Sequence, residues 1–404
     1  MASRGTKTAR STPVAAVKAR MTTAAWITTL VFILCGVGLV MVGSASSVIS
    51  MNYYGSPWSI FLRDVIWTFA GGLAFFIAAR SDYHGWRRWS KPLLLAAFAG
   101  LVLVMIPGIG TSAGGASRWL GWGPVKIQPS EFMKLALVLF GADLLTKKAA
   151  AKVPAKQVAA PFALVAGAAA LMVIAQPDLG TGMVLIVISA VMLYTVGLPR
   201  AFLVKAFLAI VALVGLAAVA LPYRRARLLS FINPGAKSDG SGYQVVQSLI
   251  GLGSGNVTGL GLGNSREKWG LLPNAHTDFI FSVVGEELGL IGVLAVLVLV
   301  GSLAMKGYRA VDQAHDLFGK LLASAITTWI IAEAIVNIGA AIGVLPVTGI
   351  PLPFVSFGGT SLIVTMAAAG ILVNVARQGE LPKRRRAAAP RPQGARRPRP
   401  AATR

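Results

Sequence analysis

The sequence has little of what a soluble protein of its length requires. Only 13% of its 404 residues are charged, and 14 Asp and Glu face 38 Lys and Arg. A single cysteine, Cys35, excludes an intrachain disulfide, and because it lies inside an apolar run it says nothing about redox compartment. The three histidines and that cysteine form no cluster with zinc-ligand spacing. No soluble stretch is long enough to fold into a basic surface, which excludes nucleic acid as a partner despite the net charge of +24. No Ser-x-x-Lys set lies in a soluble domain, so serine acyl-transfer chemistry of that type is absent too.

What the chain has is apolar surface: 55% of its residues are hydrophobic and mean hydropathy is +0.70, more than a soluble core could bury. Windows of about 20 apolar residues predict spans near 24–48, 59–79, 90–108, 130–146, 158–175, 180–197, 201–221, 279–304, 319–345 and 359–376. The expectation is an all-α polytopic membrane protein of about ten transmembrane helices. Basic residues mark alternate connectors: Arg4 to Arg20 in an N-terminal arm (1–22), then Arg80 to Lys91, Lys147 to Lys156, and Lys306 with Arg309. By the positive-inside rule all of these, and a basic, disordered tail (377–404), are cytoplasmic, with a transmembrane domain over 23–376 between them. Trp86 and Trp89 are expected at the inner interface, Trp119 and Trp122 at the outer one.

The opposite side then carries connectors 109–129, 176–179, 222–278 and 346–358. The longest, 222–278, is rich in glycine and sparse in charge, so short interfacial or re-entrant helices are expected there rather than disorder. The tail reads as attraction to anionic lipid headgroups, with docking of an acidic partner protein as the sharper alternative. Arg224, Arg225 and Arg227 add positive charge to the outer side, against the simple topology rule, which suggests a substrate-related purpose.

Four segments on that side carry the functional signal. They are GASRWLGWGPVKIQPSEFMKL at 115–135, QPDLGTG at 176–182, LPNAHTDFIFSVVGEELG at 272–289 and LPVTGIPLPFVSFGGTSL at 345–362. Together and in this order they resemble the SEDS family (shape, elongation, division and sporulation), over roughly 24–376. YQVVQSLIGLGSG before the 272–289 run, and MVGSASS at 41–47, look more like the division branch, FtsW, than the elongation branch, RodA. The resemblance implies a peptidoglycan glycosyltransferase in the bacterial inner membrane, at the division septum. It would transfer glycan from undecaprenyl pyrophosphate to the 4-hydroxyl of lipid II. It also implies a class B penicillin-binding protein (FtsI-like) and other division proteins as partners. No resident cofactor is expected, and the sequence leaves open whether Mg2+ or Mn2+ assists the pyrophosphate.

That chemistry needs one positioned base for the attacking alcohol and cations for a pyrophosphate that departs unprotonated. Asp278, where the large loop meets the eighth span, is the expected base; its plainer reading is an N-cap. Arg118, Lys126 and Lys134 are the expected pyrophosphate cations, with His276, Glu131 and Glu286 as further substrate-binding candidates. Lys134 also reads as the partner of Glu131 three residues away, and Glu286 as a lock within the helix bundle. Asp178 and Ser130 follow Gln-Pro pairs and read as helix starts. Glu333 stands where the family more often has Gln and is given no role. Gly251 to Gly255 and Gly259 to Gly263 resemble nucleotide fingerprints, but no strand precedes them, so they read as sites of close backbone packing. The rival functions are a lipid II flippase, an inert scaffold and a RodA-type polymerase.

Overall fold

The computed structural model describes residues 21–113, 116–121, 126–151, 154–205, 208 and 240–381. The basic arm, the tail beyond Leu381, most of the seventh predicted span and the arginines at 224, 225 and 227 lie outside the described residues. The helices are α1 (Thr23–Tyr54), α2 (Ser59–Arg80), α3 (Ser90–Met105), α4 (Pro129–Ala150), α5 (Ala155–Ala175), α6 (Leu179–Thr195), α7 (Ser241–Ser254), α8 (Ile280–Gln313), α9 (Leu317–Ala341) and α10 (Gly359–Glu380). Six of these, and the run Tyr83–Met105 that contains α3, are long and apolar enough to cross a membrane. α6, of 17 residues, is apolar but short. α4 spans 22 residues while carrying Glu131, Lys134 and Asp143 buried.

Local chemistry sets the helix starts. Thr22 accepts the Ala25 N–H at 3.1 Å to cap α1, Pro129 opens the first turn of α4, and Asp178 accepts the Thr181 N–H at 3.2 Å to cap α6. The helices are apolar on all sides, so packing and lipid divide their faces. On α2, Leu62, Ile66, Phe69, Leu73 and Ile77 form an exposed stripe at helical spacing. Its other face meets α10, where Gly71 sits against Met366 and Gly370 against the Phe75 carbonyl, as small residues allow in membrane interfaces. α4, α9 and α10 are the most enclosed of the long helices.

Three features depart from the expected spans. α10 runs through Glu380, four residues into the segment assigned to the tail, because its last turn is anchored. Gln378 donates to Asn374 Oδ1 at 2.8 Å and to Asp82 at 3.0 Å, and Glu380 accepts the Thr23 N–H. The connector 109–129 contains an antiparallel hairpin, β1 (Gly110–Ala113) with β2 (Ala116–Leu120), extended by mutual Leu120–Ile127 hydrogen bonds of 2.7 Å. Finally, α8 is broken at Gly289, whose φ of 66° and ψ of −162° lie outside the helical region.

Segments 255–266 fill that break. Leu290 and Ile291 donate to the carbonyls of Asn256 and Val257, while Leu260 and Gly261 donate to those of Glu286 and Glu287. The opened helix backbone is thus satisfied by protein, as irregular backbone at membrane depth requires. Any Cβ on Gly289 would lie 2.5 Å from the Val257 carbonyl oxygen, and one on Gly255 would meet the α8 backbone. The glycine runs here serve close backbone packing.

By the positive-inside rule the described termini, Ala150 and Lys306 are expected on the cytoplasmic side, which labelling tests. In a Cys35→Ala background, Trp269→Cys should react with a membrane-impermeant maleimide in intact cells, and Ala150→Cys only after lysis. Trp269 is 71% exposed, so protection there together with Ala150 labelling would invert the fold in the membrane.

Candidate active site

On the face opposite the basic connectors, four chain segments converge: the hairpin, the Gln176–Asp178 turn before α6, residues 274–279 before α8, and the loop 345–358 between α9 and α10. The hairpin carries Arg118, whose guanidinium donates to the carbonyls of Gln176, at 3.3 Å, and Pro177. Its Nη1 lies 3.9 Å from the Asp178 carboxylate. Asp178 is itself fixed by Gln128 and Ser130, at 3.2 and 3.4 Å, so the segments 115–135 and 176–182 form one unit.

Asp278 enters from the other side. Its N–H donates to the Asn274 carbonyl at 3.1 Å, with Asn274 in the left-handed region at φ 59°. Asn337 of α9 then donates to both the Asp278 and Ile350 carbonyls at 2.8 Å, stitching the two outer loops together. The N-cap position of α8 is Phe279, which places Asp278 immediately before the helix. A point one Cβ above Gly349 lies 3.7 Å from Asp278 Oδ2 and 3.8 Å from Arg118 Nη1. Carboxylate and guanidinium therefore both border one cleft at Gly349, whose φ of 78° lies in the left-handed region that favours glycine.

His276 supports this cleft through its backbone, accepting the Phe357 N–H at 3.1 Å, and its ring packs against Phe357. Burial pushes its pKa down to about 4, so the imidazole is neutral at physiological pH. Lys126 is exposed at the rim, where its carbonyl accepts from Thr360 at 3.0 Å beside the start of α10.

Lys134 sits deeper and apart. It is 1% exposed, pairs with Glu131 at 2.7 Å and with Glu333 of α9, and lies 4.9 Å from the Trp329 ring. Both the expected helical pair and a second carboxylate are present. Glu333 is one helical turn, about 6 Å of rise, below Asn337, so the charged triad braces the helix that holds Asp278. Glu286 is separate again: its carboxylate accepts from Ser265 Oγ and the Arg266 N–H, which ties the inserted loop to α8. The structure thus brings Arg118 and Asp278 together, with His276 and Lys126 at the margins, and places Glu131, Lys134 and Glu286 in supporting layers.

Near Glu286, Glu267 is buried under Gly251 of α7, and Glu287 accepts from Ser44 and Ser265 with Lys268 Nζ 3.9 Å away. Burial, then the Glu286 charge, raises the Glu267 pKa to about 7. A carboxyl raised in the docked state favours docking most fully below its ordinary range and loses that contribution as pH rises through about 7. Intrinsic-rate-corrected amide exchange over 255–266 should therefore be faster at pH 8 than at pH 6. In Glu267→Gln the difference should vanish; an unchanged pH dependence in that variant would refute the assignment.

A family model described as "Cell cycle protein" (FTSW_RODA_SPOVE) matches residues 25–381. The chain is 40% identical over 350 residues to stage V sporulation protein E of Bacillus subtilis, covering 86% of this chain and 95% of that protein. It is 38% identical over 338 residues to the probable peptidoglycan glycosyltransferase FtsW of Geobacter metallireducens, covering 84% and 90%. Among solved structures, it is similar to a chain from work on how a peptidoglycan synthase complex coordinates polymerization and crosslinking. The TM-score there is 0.72 at 30% identity, over 88% of this chain and 97% of that one. The rod shape determining protein RodA of Thermus thermophilus matches with a TM-score of 0.63 at 28% identity, over 88% and 97%.

Proposed function

The chain belongs to the FtsW, RodA and SpoVE family of cell cycle membrane proteins, and from that premise we propose that it is a peptidoglycan glycosyltransferase that polymerises lipid II. The observation that carries the reading is that Asp278 and Arg118 both border Gly349, on the face opposite the basic connectors. Lipid-linked substrates present their sugars and pyrophosphate at that depth while the polyprenyl tails stay in the bilayer.

In the proposed step the acceptor 4-hydroxyl attacks C1 of the donor glycan. The new C1–O4 bond forms as the C1–O bond to pyrophosphate breaks, its electron pair leaving on the pyrophosphate oxygen. Asp278 takes the hydroxyl proton, and Arg118, with Lys126 at the rim, stabilises the charge that develops on the leaving group. Arg118 is held by two carbonyls before substrate arrives, so little reorganisation accompanies the reaction. Among the described residues no three His, Cys, Asp or Glu side chains converge as metal ligands. An assisting divalent ion would take most of its oxygens from the pyrophosphate itself, with Asp278 as a candidate protein ligand.

The FtsW likeness supports a role at the division septum beside a class B penicillin-binding protein that supplies crosslinking. The second reading, a lipid II flippase, draws on the broken α8, a feature transporters use at their substrate sites. Here, however, the break is filled by 255–266. Purified full-length chain incubated with lipid II should yield glycan polymer, and Arg118→Ala should reduce the rate in a graded way. Lipid II scrambling across vesicles without polymer would select the flippase instead.

A further inference from the structure

Asn337, near the end of α9, is buried at 1% exposure. Both protons of its amide are used: Nδ2 donates to the Asp278 and the Ile350 carbonyls, each at 2.8 Å. The reverse orientation of the amide would set Oδ1 against two carbonyl oxygens, so its partners fix it as a double donor. Oδ1 is itself buried without a hydrogen-bond partner among the described residues, a cost that the two donated bonds have to offset. The two carbonyls belong to different segments. Asp278 closes the run before α8, and Ile350 follows Gly349, beside which Asp278 Oδ2 and Arg118 Nη1 both lie. A separate bond, from the Phe357 N–H to the His276 carbonyl at 3.1 Å, also joins these loops, so they remain paired when Asn337 is replaced. What the amide adds is a fixed height of both segments against α9, a helix itself held to α4 by the Lys134–Glu333 pair.

We propose, on the polymerase reading above, that Asn337 is a positioning residue for glycosyl transfer: its amide sets where the Asp278 carboxylate stands relative to the acceptor hydroxyl and to Arg118. It touches no reacting atom. A base works only within hydrogen-bond reach of its proton, and a displacement of about 1 Å can cost on the order of 10²-fold in rate. Substrate affinity draws on other groups, the Arg118 and Lys126 cations and the bilayer that takes the polyprenyl tail. Asn337 therefore governs kcat more than KM.

Steady-state polymerisation of lipid II by the purified full-length chain tests this. Asn337→Leu, similar in volume but without the amide, should lower kcat on the order of 10²-fold while KM for lipid II stays within about threefold. Asn337→Gln keeps both donors on a longer arm and should show a smaller loss, about tenfold, at the same KM. It carries the test if the leucine variant does not fold. In an Asp278→Asn background no basic oxygen is left to misplace, so either substitution should cost less than about threefold further in single-turnover rate. A tie that only supports the fold would cost the same in both backgrounds. The proposal is overturned by wild-type kcat in every variant that folds, by a rise in KM that accounts for the loss, or by equal cost in both backgrounds. Polymer made by wild type and lost in Asp278→Asn upholds the polymerase reading whatever Asn337 does, and full activity in Asp278→Asn defeats both.

Discussion

Asp278→Asn should reduce glycan polymerisation from lipid II by roughly 10²- to 10⁴-fold, the range by which a positioned general base accelerates proton transfer. The substitution preserves shape, and the backbone contacts of residue 278 with Asn274 and Asn337 are untouched by it. Expression, thermal stability and lipid II binding should therefore match wild type. Asp278→Glu should also be badly impaired, since lengthening the side chain displaces the carboxylate by about an ångström within a cleft bounded by Gly349 and Arg118. A well-folded Asp278→Asn protein that still makes polymer at near wild-type rate would remove the base assignment.

Lys134→Met should destabilise the fold by about 3–5 kcal/mol, because it strands Glu131 and Glu333 together in the bundle with no counter-charge. The effect is measured as a large fall in the melting temperature of the detergent-solubilised protein. The triple variant Lys134→Met, Glu131→Gln and Glu333→Gln removes all three charges at similar volume and should recover most of that stability. Because Lys134 is enclosed between its two carboxylates and acts through α9 on Asp278, the triple variant should regain polymerase activity as well. A stable but inactive triple variant would instead show that the ammonium meets the pyrophosphate directly.

The two variants differ in how far the sequence could anticipate them. Asp278 was legible because a lone carboxylate at the junction of a long outer loop and an apolar span has few reasons to be there, and because its surrounding motif resembles a known family. Its partner was only half legible. Arg118 stood out as a cation in a family motif, yet nothing local indicated that a hairpin would turn it onto the Gln176 and Pro177 carbonyls or that it would meet Asp278 beside Gly349. Glu333 was visible as an acid in an apolar span, but its partner Lys134 lies 199 positions away.

The sequence by itself determined the lipid solvent, the all-α architecture and the family. Each follows from local composition: apolar length, charge between spans, and short motifs read in order. Tertiary structure decided what depends on pairing between distant segments. It broke α8 at Gly289, because a Gly-rich loop could satisfy the opened backbone there. It withdrew Lys134, Glu131 and Glu286 into supporting layers, because buried charges must be paired and their partners come from other helices and loops. It brought Asp278 and Arg118 to one place, because the outer segments that carry them meet at Gly349.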